Sequence, residues 1–185
     1  MSRKPSPSHA NRVRIIGGRH RGRVLRFPGL AGLRPTPDRV RETLFNWLGQ
    51  RLDGLRCLDA FAGSGALGFE AASRGAADVV MTETQPQALA SLRANASLLG
   101  DESVRVLGED VLDYMRGDCG LFHVIFLDPP FGSGLLPAAL DRAATRLAAG
   151  GKIYAEFGER PDLGAWQVLR EGRAGLSHFV LLERS

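Results

Sequence analysis

Asp59-Ala-Phe-Ala-Gly63-Ser-Gly65-Ala-Leu-Gly68 follows the short apolar run of residues 55–60, and its reading decides the fold. A strand that enters a G-x-G-x-x-G loop and leaves it as a helix is the first half of a β-α-β unit. The glycines permit a tight turn and close approach of backbone to a ligand, which then meets the N–H groups at the helix start. Working outward, the alternation continues. Residues 66–74 read as a helix stopped by Gly75, Asp78–Thr82 as a strand ending at Glu83, and Pro86–Leu99 as a helix ending at Gly100. Residues 103–107 form a strand ending near Asp110, and Val111–Arg116 a short helix. Phe122–Leu127 is apolar throughout, so both its faces are buried. Residues 135–148 read as a helix stopped by Gly150 and Gly151, residues 152–157 as a fifth strand, and residues 166–171 and 177–183 as a terminal antiparallel pair. Strict alternation predicts an α/β fold: a mostly parallel sheet, helices on both faces, right-handed crossovers. On such sheets ligands bind beyond the carboxyl ends of the strands. Asp59 with its glycines, Glu83, Asp110 and Asp128 each fall at such an end.

Upstream, the chain changes character. Residues 1–51 carry twelve Lys/Arg against Asp38 and Glu42, whereas the remainder carries twelve against eighteen acids. The overall charge of +4 therefore hides a basic arm on an acidic body, the pattern of a polyanion-binding extension. Residues 1–11 are polar and read as a disordered tail. Residues 12–36 read as a basic hairpin, two strand-like runs around Gly17–Gly22, and a proline-rich connector. Residues 37–185 form the main domain, beginning with a helix capped by Thr36, started by Pro37, and buried through Val40, Leu44, Trp47, Leu48 and Leu52. Residues 1–20 lack the apolar core of a secretory signal and no run is long enough for a membrane helix, so the expectation is a cytoplasmic protein with no membrane partner. Cys57 and Cys119 form no C-x-x-C pair, and no metal-ligand spacing occurs, so no metal is expected.

The glycine loop with Glu83 would suit a nicotinamide cofactor. An acid before the glycines would not, because Asp59 repels a pyrophosphate; it suits a ligand carrying an ammonium and a sulfonium. Asp110 can accept from an adenine amino group. Taken singly, Asp59 is a strand-end turn residue and Glu83 and Asp110 are helix-capping acids. Asp128-Pro129-Pro130-Phe131 adds chemistry at the fourth strand. An exocyclic base amine is a weak nucleophile, and a carboxylate plus a proline-stiffened carbonyl can accept its two N–H bonds and aim its lone pair. Phe131 offers a stacking face for a base taken out of its stack.

Asp59–Gly65 resembles the first motif of class I S-adenosylmethionine methyltransferases, with Glu83 and Asp110 at their ribose and adenine positions. Asp128–Phe131 resembles the signature of amino-directed base methyltransferases. Arg14-Ile-Ile-Gly-Gly, Arg21-Gly-Arg and Leu33-Arg-Pro-Thr-Pro-Asp-Arg-Val-Arg-Glu-Thr-Leu-Phe-Asn-Trp-Leu48, in that order, resemble the bacterial 16S ribosomal RNA guanine-N2 methyltransferase family nearly end to end. The resemblance implies a Rossmann-like class I fold with a seven-stranded sheet, and methyl transfer from S-adenosyl-L-methionine to one guanine N2 of 16S rRNA in the small ribosomal subunit or an assembly intermediate. It implies cofactor binding by Asp59, Phe61, Gly63, Ser64, Gly65, Glu83, Asp110 and Val111, and catalysis by Asp128, Pro129, Pro130 and Phe131. Gln85 departs from the family, which often has an acid there. Arg19, Arg21, Arg23 and Arg34 are the candidate phosphate contacts. Thr36, Arg39 and Glu42 are either ordinary caps and surface charges or a cover over the cofactor. A DNA adenine-N6 methyltransferase, a nicotinamide-dependent oxidoreductase and a catalytically silent nucleic-acid-binding module remain the rival readings.

Overall fold

The computed structural model describes residues 11–185; the tail reading for the first ten residues lies outside them. Strands β1 (Arg12–Arg14) and β2 (Val24–Arg26) pair antiparallel as the expected hairpin. Helix α1 (Asp38–Trp47) leads into a β-α series: β3 (Arg56–Asp59), α2 (Ala66–Ser73), β4 (Asp78–Thr82), α3 (Pro86–Leu99), β5 (Val104–Leu107), α4 (Val111–Arg116), β6 (Phe122–Leu127), α5 (Leu135–Arg146) and β7 (Leu147–Phe157). Strands β8 (Trp166–Ala174) and β9 (Ser177–Arg184) close the chain. The seven strands of the main sheet lie in the order β5-β4-β3-β6-β7-β9-β8, with β9 antiparallel to both neighbours. The order reverses between β3 and β6, which puts the glycine loop and Asp128 side by side where open sheets bind ligands.

Two apolar cores flank the sheet. One unites α1, α2 and the hairpin with the strand residues Cys57, Phe126, Tyr154 and Phe179; the other packs α4 and α5 against Leu58, Ile125, Leu127 and Ile153. β6 is buried on both faces, as its unbroken apolar run requires.

Two local expectations fail, each for a physical reason. Thr36 does not cap α1: Pro37 is the flanking residue, no side chain caps the first turn, and Thr36 is instead buried. The fifth strand begins at Leu147, where helix was expected to run to Ala148. Leu147 pairs with Phe122, and the register then shifts before Val124 pairs with Lys152. The glycines thus sit in an irregularity of the strand and do not mark a helix end.

Within α1, Val40, Leu44 and Phe45 are buried as an apolar stripe, but so is Arg41, at 1% exposure. Its partner Glu70, on α2, is wholly buried. Arg41 Nη1 donates to Glu70 Oε2 at 3.1 Å and to the Arg14 carbonyl at 2.9 Å, and its Nε donates to the Thr36 carbonyl at 3.1 Å. Glu70 also accepts from the N–H groups of Ile16 and Gly17, each at 2.9 Å, and from Arg74 Nε at 2.8 Å. One carboxylate therefore fastens the hairpin, α1 and α2 together. A buried pair this well supplied with hydrogen bonds offsets its desolvation cost, and losing either member costs about 3–5 kcal/mol.

Candidate active site

Asp59 ends β3 at 1% exposure. Its Oδ2 accepts the Gly68 N–H at 2.9 Å, across the glycine loop. Burial raises its pKa to about 7, against the Gly68 N–H, which favours the carboxylate; the charge of Glu83 adds to the rise. Gly65 starts α2 at φ 82°, a conformation that favours glycine. Gly63 passes under the connector: a Cβ there would lie 2.9 Å from Leu33 Cδ1. Ser64 is buried, its Oγ 3.3 Å from the Ala66 N–H that it accepts, and Phe61 packs partly buried against the second core.

Glu83 closes the loop from β4. Its Oε2 accepts the Gly63 N–H and its Oε1 those of Thr84 and Gln85, all at 2.9 Å. Asp110 caps α4 through Oδ1, accepting from Leu112 at 2.8 Å and Asp113 at 3.3 Å, while Val111 is buried beside it. Both acids thus have structural work, as their strand-end positions allow, and both keep acceptor positions open: Glu83 at Oε2 and Asp110 at Oδ2.

Asp128 follows β6 and keeps part of its surface open at the end of the sheet. Burial holds its carboxyl well above the usual carboxylate range, and the charges of Glu156 and Asp59 push the same way; the nearby Thr36 side chain works against them. The Thr36 side chain is thus buried toward Asp128 and does not cap the helix. Pro129 is buried and Pro130 exposed. Phe131 is 53% exposed, and its ring lies over the end of β7, where a Cβ on Gly158 would be 3.5 Å from Cδ2.

Glu156 was not visible in the sequence as a site residue. Register pairing ends with Leu127 opposite Ala155; Asp128 and Glu156 are the residues that follow on the two chains, and the charge of Glu156 acts on the Asp128 carboxyl. An acid at the close of an apolar strand was the available signal, but nothing local told which strand would lie beside β6.

The four arginines separate. Arg19 donates to the Ala72 carbonyl at 3.2 Å and pairs with Asp101 at 3.1 Å; Arg23 donates to the Leu98 carbonyl at 3.3 Å. Arg21 and Arg34 are exposed. The hairpin tip sits against the C-terminal ends of α2 and α3, since the Arg19 N–H donates to the Ser73 carbonyl at 2.8 Å and the His20 N–H to Ser73 Oγ at 2.9 Å. That is the end of the sheet opposite Asp128, roughly 20 Å away for a six-residue strand at about 3.3 Å per residue. There a groove of about 850 Å³ is lined by Arg19, Arg21, Glu42, Asn46 and Arg51. Only Arg34, next to Leu33, lies by the glycine loop. Among the described residues no group of metal-ligating side chains gathers, and no helix is long and apolar enough to cross a membrane.

A sheet of this order, with a glycine loop, an acid at each successive strand end and D-P-P-F at the reversal point, defines a class I Rossmann-like methyltransferase. Residues 13–183 match the family model described as Conserved hypothetical protein 95, and the chain belongs to that family. It is 39% identical over 188 residues to the Ribosomal RNA small subunit methyltransferase D of Escherichia coli K12, covering 98% of this chain and 95% of that one. The Haemophilus influenzae protein of the same name is 37% identical over 192 residues, covering 99% and 100%. A solved structure described as a putative methyltransferase yhhF from Escherichia coli superposes with a TM-score of 0.85 at 40% identity, covering 94% of this chain and 98% of that one.

Proposed function

We propose that this protein transfers a methyl group from S-adenosyl-L-methionine to the exocyclic N2 of one guanine of 16S rRNA, in the small subunit or a precursor of it. The observation that carries the reading is Asp128, partly open beside the glycine loop with Phe131 exposed next to it, in a chain whose full-length relatives are named small-subunit rRNA methyltransferases. The donor set fits the cofactor. Asp59 has one oxygen engaged by Gly68 and, among the described residues, no donor on the other, which suits an ammonium. Glu83 and Asp110 keep acceptors for ribose hydroxyls and an adenine amine, with Phe61, Gly63, Ser64, Gly65 and Val111 shaping the walls. When bound, the cofactor supplies an activated methyl group on a sulfonium.

The protein's part is then alignment, for which properly held reactants gain roughly 7–11 kcal/mol. Asp128 and a backbone carbonyl of the D-P-P-F turn accept the two N–H bonds of N2. Pro130's carbonyl is turned into the loop, where it accepts the Ser133 N–H at 3.1 Å, so that of Asp128 or Pro129 is assigned the task. With the cofactor bound, the aimed nitrogen would take the methyl group from the sulfonium, leaving a neutral thioether, and N2 would then give up one proton. A carboxylate whose proton affinity is raised by burial is a competent first acceptor for it. Phe131 stacks the extruded base, worth about 1–3 kcal/mol. Arg34 holds phosphate near the reacting base. Arg19, Arg21 and Arg23 do so at the far end, which requires an RNA surface at least roughly 20 Å long, or about six strand residues.

The test is transfer of labelled methyl from S-adenosylmethionine to undermethylated small subunits, deproteinised 16S rRNA and duplex DNA, with digestion to nucleosides. Label in N2-methylguanosine is expected from one or both ribosomal substrates. Label in N6-methyladenine from DNA would overturn the substrate, and no label would return the oxidoreductase and silent-module readings.

A further inference from the structure

We infer that Glu156 is the residue that selects guanine, its carboxylate accepting the N1–H of the base whose N2 is held by Asp128. This rests on the guanine-N2 reading above.

The argument begins with register. β6 and β7 are parallel and paired through Phe126 with Tyr154 and Leu127 with Ala155. Asp128 follows just past the end of β6 and Glu156 is the next residue of β7, on chains that paired strands hold about 4.8 Å apart, and the charge of Glu156 reaches the Asp128 carboxyl. Phe126 and Tyr154, two residues back, belong to the core beneath α1, so both acids emerge on that side, where Thr36 also meets Asp128. Phe131 lies over Gly158, just beyond Glu156. Two carboxyl groups and an aromatic ring therefore gather at one end of the sheet.

Glu156 is 8% exposed and fixed from behind. Tyr154 Oη donates to Oε2 at 2.9 Å, and Ser177 Oγ donates to Oε1 at 2.5 Å. Each contact uses one lone pair of its oxygen, and each oxygen keeps another. The carboxylate is thus aligned and still able to accept. Burying a second acid beside Asp128 is unfavourable on its own: burial first, and the charge of Glu156 after it, raise the proton affinities of Asp128 and Tyr154. A ligand edge with two adjacent donors relieves that repulsion.

Guanine alone among the RNA bases with an exocyclic amine offers such an edge. Its Watson–Crick side carries N1–H beside N2–H₂. Adenine carries N6–H₂ beside a bare N1, and cytosine N4–H₂ beside a bare N3, so each would turn a ring lone pair toward a carboxylate that can only accept. Sites built around a required hydrogen bond reject analogues lacking it far more strongly than apolar pockets reject a size change.

2-Aminopurine keeps the 2-amino group and replaces N1–H by a lone pair; it also lacks O6, so the contact is read from how the preference changes between wild type and Glu156→Gln. Small subunits are reconstituted with 16S rRNA bearing guanine or 2-aminopurine at the methylated position, and kcat/KM is measured for each with wild type and Glu156→Gln. The wild type is expected to prefer guanine by on the order of 100-fold or more. Glu156→Gln, whose carboxamide can donate to a bare N1, is expected to narrow that preference at least roughly tenfold while its cofactor affinity stays within about twofold. An unchanged preference, or equal losses on both bases, overturns the assignment and leaves Glu156 a purely structural partner of Tyr154 and Ser177. If Glu156→Gln does not fold, Glu156→Asp carries the test: the shorter side chain withdraws the acceptor and must narrow the same preference. Wild type that leaves no N2-methylguanosine in the guanine subunits sinks the guanine reading itself, and this inference with it.

Discussion

Glu70→Gln tests how the basic arm is held. The substitution is nearly isosteric, so packing is kept while the charge and the hydrogen-bond chemistry change. Glu70 accepts from four donors: the N–H groups of Ile16 and Gly17 and the guanidinium groups of Arg41 and Arg74. A carboxamide offers one acceptor oxygen and turns an NH₂ toward the remaining donors. Arg41, at 1% exposure, keeps only Asp38 at 2.5 Å as a charged partner, and that acid is itself exposed. Breaking a buried pair in this way costs about 3–5 kcal/mol, a large share of the roughly 5–15 kcal/mol that domains possess. For a chain of this length each kcal/mol moves Tm by about 2–4 °C, so Tm should fall by roughly 6–20 °C. The assay is thermal unfolding followed by circular dichroism, with limited trypsin digestion below the transition. Cleavage at Arg19, Arg21 or Arg23 should accelerate more than cleavage within the main sheet, because the loop they occupy is tied down through the Ile16 and Gly17 contacts. A variant that melts within about 2 °C of wild type would refute the view that this carboxylate fastens the arm.

Asp128→Ala is expected to lower methyl transfer by roughly 10²–10⁴-fold while leaving cofactor affinity within a few-fold, measured by single-turnover transfer and calorimetry; loss of cofactor binding would contradict its assigned place on the base side. Asp59 gives a pH test. Its folded carboxyl titrates at about 7 and must be charged to hold an ammonium, so cofactor affinity should rise with pH up to about 7 and level off above it; a profile flat from pH 5.5 to 8 would exclude that contact. The same raised value means that Asp59 favours the folded state while protonated, and that this contribution is lost progressively from the unfolded value near 3.8 up to about 7. Arg21→Ala combined with Arg34→Ala should weaken RNA binding at low salt and flatten log K against log salt, by roughly 0.7 per lost phosphate contact on single-stranded RNA; an unchanged slope in filter-binding measurements would remove both from the interface.

The placement of Asp59, Glu83, Asp110 and Asp128 at strand ends was legible in the sequence. Strand and helix periods are local, and a glycine loop or a proline pair marks where a strand stops. The family resemblance was legible for the same reason, being carried by short ordered motifs. Thr36 departs from local logic: a threonine before a proline reads as a cap, but packing of the connector buries it and leaves Pro37 at the helix start. Arg41 and Glu70 were invisible as a pair, since a helical charge ordinarily faces water and only the docking of the hairpin onto α1 and α2 makes burial tolerable. Likewise, the arginine-rich hairpin announced a polyanion partner, while its attachment to the far end of the sheet depends on Ser73 and Asp101. The sequence by itself determined the elements, their order and the acids that end the strands, because those follow from side-chain periodicity and turn chemistry within a few residues. Tertiary structure alone decided that Glu156 stands beside Asp128 and that the arm lies at the opposite end, because the pairing of β6 with β7 and the seating of the hairpin are set by contacts between residues far apart in the chain.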